Sequence, residues 1–368
     1  MKHLGSLIGA CLSMALLAAC SGNGGLAPST PISLAPHLTA RQSAPVGSAV
    51  LPATGNPNLY VANYGSGTVT VYARGSSSPL RTISEGVNGP HALAFGSTHN
   101  LFVANAVGNT VTVYAPGSTS VLRTISQGVS GPNALAVDDS GNLYVANGGN
   151  STVTVYAAGQ TTVLRTISDG VENPDAVVVD KSGNLYIGNT DSNYSYPGST
   201  VTVYASRTGD LLKTLTQSSD PLWYIALALD SSGNLYVADK GLPFDGYDDA
   251  IVVYAAGSLK LLRTYPDAYR PDALAFDGSG NLYVSDWGGK YTTGKVPVFA
   301  AGSATKLRTI HSGVYRPMAL AVSHSGNLYV ANSCYCGYTI TVYSRGSTKL
   351  VRTISQGVND PLALAFGP

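Results

Sequence analysis

Charge is scarce in this chain of 368 residues: Asp, Glu, Lys and Arg make up 11% of it, against about a quarter in ordinary globular domains. Glutamate occurs only twice, as Glu85 and Glu172, and the formal net charge is +1. No basic tract gathers the Lys and Arg side chains. The phosphate-neutralising patch that nucleic-acid binding needs is therefore missing, and no nucleic acid is expected as a partner. Cysteine is also sparse, with Cys11, Cys20, Cys334 and Cys336 the whole complement. Two thiols near the end of the chain make no disulfide framework, and a zinc site would need further Cys or His at ligand spacing. Apolar residues at helical spacing are absent from the body of the chain.

What the chain has in abundance is repetition. Copies of one unit begin at Asn58, Asn100, Asn142, Asn184, Asn234, Asn281 and Asn327, with periods of 42, 42, 42, 50, 47 and 46 residues. Each runs roughly Asn-Leu-Tyr-Val-Ala-Asn, Thr-Val-Thr-Val-Tyr-Ala, Leu-Arg-Thr-Ile-Ser, Pro-x-Ala-Leu-Ala. A unit of this size cannot bury its own apolar faces and must stack on its neighbours. In the second copy the expected strands are Leu101 to Asn105, Val111 to Ala115, Leu122 to Ser126 and Ala134 to Asp138, rich in the β-branched and aromatic residues that suit pleated surfaces.

The pattern within a copy assigns each strand its place. Leu143 to Ala146 and Ala134 to Val137 are apolar on both alternate sets, as a strand covered on both faces requires. Arg81, Arg123, Arg165, Lys213, Arg263, Arg308 and Arg352 enter the third run of each copy, Leu-Arg-Thr-Ile, where a charge protects an exposed outer edge from pairing. Paired alanines such as Ala92 with Ala94 and Ala134 with Ala136 suit the crowded centre where blades converge. The turn Asp-x-Ser-Gly-Asn, as in Asp180 to Asn184, supplies side-chain acceptors and a glycine able to take positive φ.

The phase of the repeat predicts how the ring closes. The first copy begins at a second strand, and the chain ends at Leu362 to Phe366, an inner strand with nothing after it. An all-β, seven-bladed propeller with four antiparallel strands per blade follows, its C-terminal strand completing the first blade. The alternative, residues 46–54 as the first inner strand, leaves a sheet edge open.

Tyr60 to Asn63, Tyr144 to Asn147 and Tyr329 to Asn332 read Tyr-Val-Ala-Asn. In these residues the chain resembles the NHL and YVTN families of β-propeller repeats over about 310 residues. The resemblance implies a propeller. It leaves the role open among ligand binding, scaffolding and, less often, catalysis. The Trp-Asp dipeptide of the other common propeller repeat is missing.

The first 19 residues read as a signal peptide, with Lys2 and His3 before an apolar run from Leu4 to Ala19. That run is short for a membrane span. Leu17-Ala18-Ala19-Cys20 resembles the lipobox of bacterial lipoproteins, which implies a lipid on Cys20, and Ser21 after it resembles sequences passed on to the outer membrane. Residues 20–57, rich in Gly, Ser, Pro and Ala, then form a flexible tether of roughly 35 Å root-mean-square length, and residues 58–368 form the propeller. The expectation is a monomer at the bacterial cell envelope, held to the membrane by its lipid anchor alone. An oxidising envelope permits a tight disulfide between Cys334 and Cys336, a loop staple.

Function is sought where the copies disagree. The connections between second and third strands are short in the first three blades, then lengthen over 190–199, 240–249, 287–294 and 333–338. These insertions carry Tyr194, Tyr196, Phe244, Tyr247, Trp287, Tyr291 and Tyr335, and the entry to the fifth inner strand adds Trp223 and Tyr224. Aromatics on loops point to a binding surface for a protein, peptide or glycan. Two further sets could carry chemistry. One is the column Asn63, Asn105, Asn147, Asn189, Asp239, Asp286 and Asn332 at the ends of second strands. Its repetition reads most simply as a local cap bonding the turn that follows. The other is the position before each inner strand: His91, Asn133, Asp175, Ile225, Asp272, Met318 and Leu362.

That second set should ring the channel mouth. His91, Asp175, Asp239, Asp272 and Asp286 are the weak candidates for a divalent cation, and no other cofactor is expected. A metal-dependent hydrolase resembling the propeller lactonases, or a lyase, is the alternative to a binding role. The Glu-Gly-Pro entry motif of those lactonases is not present. His99, His311 and His324 fall in turns without a glutamate beside them, which removes the match to virginiamycin B lyase.

Overall fold

The computed structural model describes residues 57–190, 199–206, 208–216, 224–240, 250–265, 270–288, 293–333 and 337–368, with Tyr224, Ile225, Asp239 and Lys240 in backbone only. Its strands run in chain order. Blade 1 begins with β1 (Asn58–Asn63), β2 (Thr68–Tyr72) and β3 (Arg81–Ile83). Blade 2 holds β4 (Pro90–Phe95), β5 (Leu101–Asn105), β6 (Thr110–Tyr114) and β7 (Val121–Ile125), and blade 3 holds β8 (Pro132–Val137), β9 (Leu143–Asn147), β10 (Thr152–Tyr156) and β11 (Val163–Ile167). Blade 4 holds β12 (Pro174–Val179), β13 (Leu185–Asn189), β14 (Thr200–Tyr204) and β15 (Leu211–Thr216). Blade 5 holds β16 (Tyr224–Leu229), β17 (Leu235–Lys240), β18 (Ala250–Tyr254) and β19 (Leu261–Tyr265). Blade 6 holds β20 (Leu274–Phe276), β21 (Leu282–Val284), β22 (Val296–Phe299) and β23 (Lys306–Ile310), and blade 7 holds β24 (Pro317–Val322), β25 (Leu328–Asn332), β26 (Thr339–Tyr343) and β27 (Leu350–Ile354). The last strand, β28 (Pro361–Gly367), pairs antiparallel with β1 and gives blade 1 its inner strand. Each strand of the second copy matches its sequence assignment to within two residues.

Every sheet is a four-stranded antiparallel meander, and neighbouring inner strands touch all the way round, β28 against β4 included. The hydrophobic cores lie between blades rather than within them. One cluster joins Phe102, Val111 and Val113 of blade 2 to Leu135, Leu143 and Val145 of blade 3, and six others repeat this at the remaining seams. Burying a Val or Leu contributes about 1.5–3 kcal/mol, so each blade is stabilised chiefly by its neighbours. Opening the ring anywhere exposes two such faces.

Register makes the same lateral row in each blade. Ala136, Tyr144, Val155 and Arg165 are cross-strand partners in sequence across blade 3, as are Ala321, Tyr329, Val342 and Arg352 across blade 7. Side chains in such a row share a face. The six arginines of the outer strands are consequently half-buried rather than standing out as edge guards, and only Lys213 is exposed. Arg81, Arg308 and Arg352 donate to the hydroxyls of Tyr60, Tyr283 and Tyr329 at 2.7, 2.8 and 3.1 Å, lying 5.7–5.8 Å from the ring centroids. Their aliphatic stems cover the blade face, as amphipathic side chains do.

A second tyrosine, at the end of the third strand, ties blades together. Tyr72, Tyr114, Tyr156 and Tyr204 donate to the carbonyls of Gln356, Glu85, Gln127 and Asp169 in the outer turn of the preceding blade, at 2.5–2.6 Å. Burial pushes the Tyr72 phenol up to about 12, the Thr70 hydroxyl offsetting this in part. Tyr144 also reaches about 12, through burial first and then the nearby Asp138 carboxylate. Gly86 in one receiving turn has φ +71°, and a Cβ there would stand 2.8 Å from Val121 of the next blade. Only glycine satisfies both conditions.

Candidate functional site

One face of the ring, called here the top, carries the connections from second to third strands and the entries into the inner strands. It is organised by the asparagine column. Asn63, Asn105, Asn147, Asn189 and Asn332 are buried at the ends of β1, β5, β9, β13 and β25. Each amide nitrogen donates to a threonine of the third strand, Thr70, Thr112, Thr154, Thr202 or Thr341, at 2.8–3.1 Å. Each amide oxygen accepts an N–H from the inner-strand entry of its own blade, at Asn359, Asn88, Ser130, Glu172 or Tyr315. The column is a cap, as its repetition suggests. Its partners are the third strand and the entry loop rather than the turn immediately after it.

The residues before the inner strands are brought together by a β-bulge. In blades 1, 2, 3, 4 and 7 the register between inner and second strands slips at Leu362, His91, Asn133, Asp175 and Met318, which leaves that residue unpaired in the ladder. A bulge re-aims its side chain. Here it produces a hydrogen-bonded belt at the channel mouth: His91 Nδ1 lies 3.2 Å from the Asn133 carbonyl, Asn133 Nδ2 donates to Asp175 Oδ1 at 3.0 Å, and Thr190 donates to Asp175 Oδ2 at 2.6 Å. In blades 7 and 1 the bulged residues are the apolar, buried Met318 and Leu362. Blade 5 pairs Ile225 with Asp239 without a bulge. His91, Asp175 and Asp272 are 2–3% exposed. No group of three or more His, Cys, Asp or Glu side chains converges among the described residues.

Blade 6 departs from the pattern. Ser285 stands where five of the other six blades have alanine and blade 4 has Gly188, and its hydroxyl accepts the N–H groups of Asp272 and Ala273 at 2.9 and 2.6 Å. Asp286 replaces asparagine and Lys295 replaces threonine opposite it, so an amide–hydroxyl pair has become an ion pair, Nζ to Oδ2 3.2 Å, with the carboxylate fully buried. Asp286 Oδ1 also accepts the Gly288 N–H at 2.8 Å. This anchors the start of the longer connection, and the residue it holds in place is Trp287.

Trp287 is half-buried at the seam between blades 6 and 7, with two guanidiniums on it. Arg270, from the entry to blade 6, lies 4.6 Å from the ring centroid, and Arg316, from the entry to blade 7, lies 5.1 Å away. Both arginines have left-handed backbone, φ +49° and +46°. Gly89, Gly131 and Asn173 occupy the same place in blades 2, 3 and 4. A long side chain in this region costs about 1–2 kcal/mol, so the arginines stand where glycine would be the easier choice. Neither was a sequence candidate. The signal was there, since the residue before the Pro of each inner strand reads Gly, Gly, Asn, Arg, Arg and Asp in blades 2, 3, 4, 6, 7 and 1.

Of the expected ligand-binding aromatics, Trp287 alone has a described side chain. Tyr194, Tyr196, Trp223, Phe244, Tyr247, Tyr291 and Tyr335 lie outside the described residues, and Tyr224 is described in backbone only, at the first position of β16. The strands flanking the long connections, β13 and β14, β17 and β18, β25 and β26, end and begin at the top face. Cys20, Cys334 and Cys336 also fall outside the described residues, as does the side chain of Asp239. His311 and His324 are exposed in turns. No helix among the described residues is long and apolar enough to cross a membrane.

These features define a seven-bladed β-propeller with an asymmetric top face. The NHL repeat family model matches residues 130–156, which run from the entry of blade 3 through its third strand. Among solved structures the chain is similar to one titled Kuenenia stuttgartiensis Hydrazine Synthase, with 16% identity, a TM-score of 0.65, 91% of this chain covered and 100% of the other. Solved structures match in 1288 chains, so a likeness at this identity establishes the fold and says nothing of the chemistry. No curated protein matches. The fold supports a role in binding or scaffolding.

Proposed function

We propose that this protein is a binding propeller displayed at the bacterial cell envelope by a lipid on Cys20, taking a protein, peptide or glycan partner on the top face over blades 4 to 7 rather than acting as an enzyme. The observation that carries the reading is the Arg270–Trp287–Arg316 stack, two strained arginines and an aromatic at the side of the face where the repeat lengthens. Catalysis at the channel mouth gains no support from the belt, because His91 and Asp175 are buried and held within it. The test is capture from envelope extract by wild type and by Trp287→Ala combined with Trp223→Ala. Capture of the same partners by both would end the assignment of this face. Metabolic labelling with a palmitate analogue tests the tether separately: label should enter the full chain and disappear in Cys20→Ser.

A further inference from the structure

Resting on the lipid at Cys20, we infer that the bottom of the ring over blades 6, 7 and 1 docks on anionic headgroups of the membrane that holds the anchor, which turns the top face outward. The net charge of +1 hides a division along the chain. Residues 287–368 carry eight Lys and Arg and a single acid, Asp360, and residues 58–84 add Arg74 and Arg81 with no acid at all. Residues 85–286 carry nineteen acids against nine Lys and Arg. Because β28 pairs with β1, the two acid-poor stretches are neighbours in the ring.

The bottom face carries the turns from inner to second strands and the connections from third to outer strands. Lys306, Arg345, Lys349 and Arg74 lie in or directly after those connections in blades 6, 7 and 1, and all four are exposed. Blade 7 also gives up the aspartate that opens the first turn in blades 3 to 6. Ser323 Oγ accepts the Asn327 N–H at 3.1 Å, as Asp180 Oδ1 accepts that of Asn184 at 2.8 Å, so the turn is kept and its negative charge is gone. Asp277 of blade 6 is taken up by its own turn, accepting from Ser279, Asn281 and Tyr283. Asp360 precedes the inner strand of blade 1 and belongs to the top face. Arg345 donates to Ser279 Oγ across the seam at 3.0 Å, which joins blades 6 and 7 in one surface. Attraction to a charged bilayer acts through net charge and needs no open N–H edge.

Apolar side chains accompany the cations. The register between third and outer strands skips Leu307 in blade 6 and Val351 in blade 7, and these bulged residues are 48% and 54% exposed. Leu80, before the outer strand of blade 1, is 54% exposed. Apolar groups set among Lys and Arg suit a headgroup layer. Leu122 and Leu164 are exposed in the same way on blades 2 and 3, so charge selects the side. The tether selects a bilayer over an acidic protein. Strand β1 ends at the top with Asn63, so it starts at the bottom with Asn58, which pairs with Gly367. The chain from Cys20 therefore enters the ring beside this surface, and a tether of roughly 35 Å holds it at high effective concentration against the membrane.

The experiment reconstitutes the protein, purified from membranes, into vesicles of phosphatidylcholine alone or mixed with phosphatidylglycerol, and maps lysine acetylation by a water-soluble reagent with mass spectrometry. Lys306 and Lys349 should be protected in the mixed vesicles at low salt and labelled freely at high salt. Lys181, exposed in the first turn of blade 4, should be labelled equally in both. Arg345→Gln should weaken the protected state about fivefold, the effect of one charge near an anionic surface. Arg345→Lys keeps the charge without the guanidinium and should keep the protection, which separates charge from the Ser279 contact. Equal labelling of Lys306 and Lys349 in the two vesicles, equal protection of Lys181, or protection indifferent to salt and to Arg345→Gln would each overturn the proposal. So would equal protection by soluble polyglutamate over phosphatidylcholine, which would assign the surface to an acidic protein. A chain that fails to float with phosphatidylcholine vesicles removes the anchor alone, and the response of its lysines to added phosphatidylglycerol still decides this face.

Discussion

Raising the pH should unfold this propeller over a narrow interval just above the ordinary phenol pKa. Ten tyrosines, Tyr60, Tyr72, Tyr114, Tyr144, Tyr156, Tyr186, Tyr204, Tyr236, Tyr283 and Tyr343, have raised pKa values, burial being the largest cause in every case. A folded-state pKa above the unfolded one means that the folded chain keeps protons the unfolded chain releases. The stabilisation is therefore complete below pH 10 and is lost as pH rises toward the folded values, about 12 for Tyr72 and Tyr144. Each such group removes about 1.4 kcal/mol per pH unit in that window, or roughly 0.7 kcal/mol after discounting by half for solvent near the phenol oxygens. The four with the largest shifts, Tyr72, Tyr144, Tyr186 and Tyr236, together remove about 3 kcal/mol per unit, and the other six act in the same direction, against a total stability of about 5–15 kcal/mol. The sheet should collapse within about two units above pH 10. Far-ultraviolet circular dichroism and phenolate absorbance, followed together, should show one coincident cooperative step. A smooth phenolate titration centred near the ordinary value with the sheet intact would refute the burial argument. Tyr144→Phe, a change already present as Phe102 in blade 2, should move the midpoint upward while leaving the neutral-pH fold unchanged.

Three further perturbations test the ring and its top face. Leu364→Ala, in the strand that closes blade 1, should cost about 2–5 kcal/mol in a denaturant titration, and an unchanged midpoint would mean that β28 does not hold the ring. Gly86→Ala meets both positive φ and Val121 of the next blade, whereas Gly75→Ala meets positive φ in open space, so thermal melts should show the first markedly more destabilised; equal shifts would deny the close approach between blades. Lys295→Thr alone leaves the buried Asp286 carboxylate without its lysine and should destabilise more than Asp286→Asn, while the double variant should recover most of the loss because it restores an amide–hydroxyl pair of the kind Asn105 makes with Thr110. Additive losses in that cycle would show that the two residues are not coupled.

The fold was legible because it is written many times over. Strand type, blade order and closure all follow from the alternation of apolar residues and the phase of one repeat, and local signals that agree across copies leave few alternatives. The Asn-x4-Thr-x-Thr spacing of Asn105, Thr110 and Thr112 even carries the polar cap, since cross-strand register follows from strand length. The outer arginines were harder to place. A charge on an edge strand reads as a guard, and whether its stem turns outward or lies over Val71 toward Tyr60 depends on the face it shares with them.

The candidate site was legible only in part. Length differences between copies pointed to one side of one face, and Trp287 was found that way. Arg270 and Arg316 lie 46 residues apart in the chain and meet on one indole only because the entries of adjacent blades come to the same seam. Likewise His91, Asn133 and Asp175 look unrelated in sequence until bulges turn them into a belt. The sequence by itself determined the repeated strands and their ring, because periodicity is a local property that each copy states again. The tertiary structure alone decided which side chains meet across seams, because those contacts are set by the angle between neighbouring blades, a quantity that no single repeat contains.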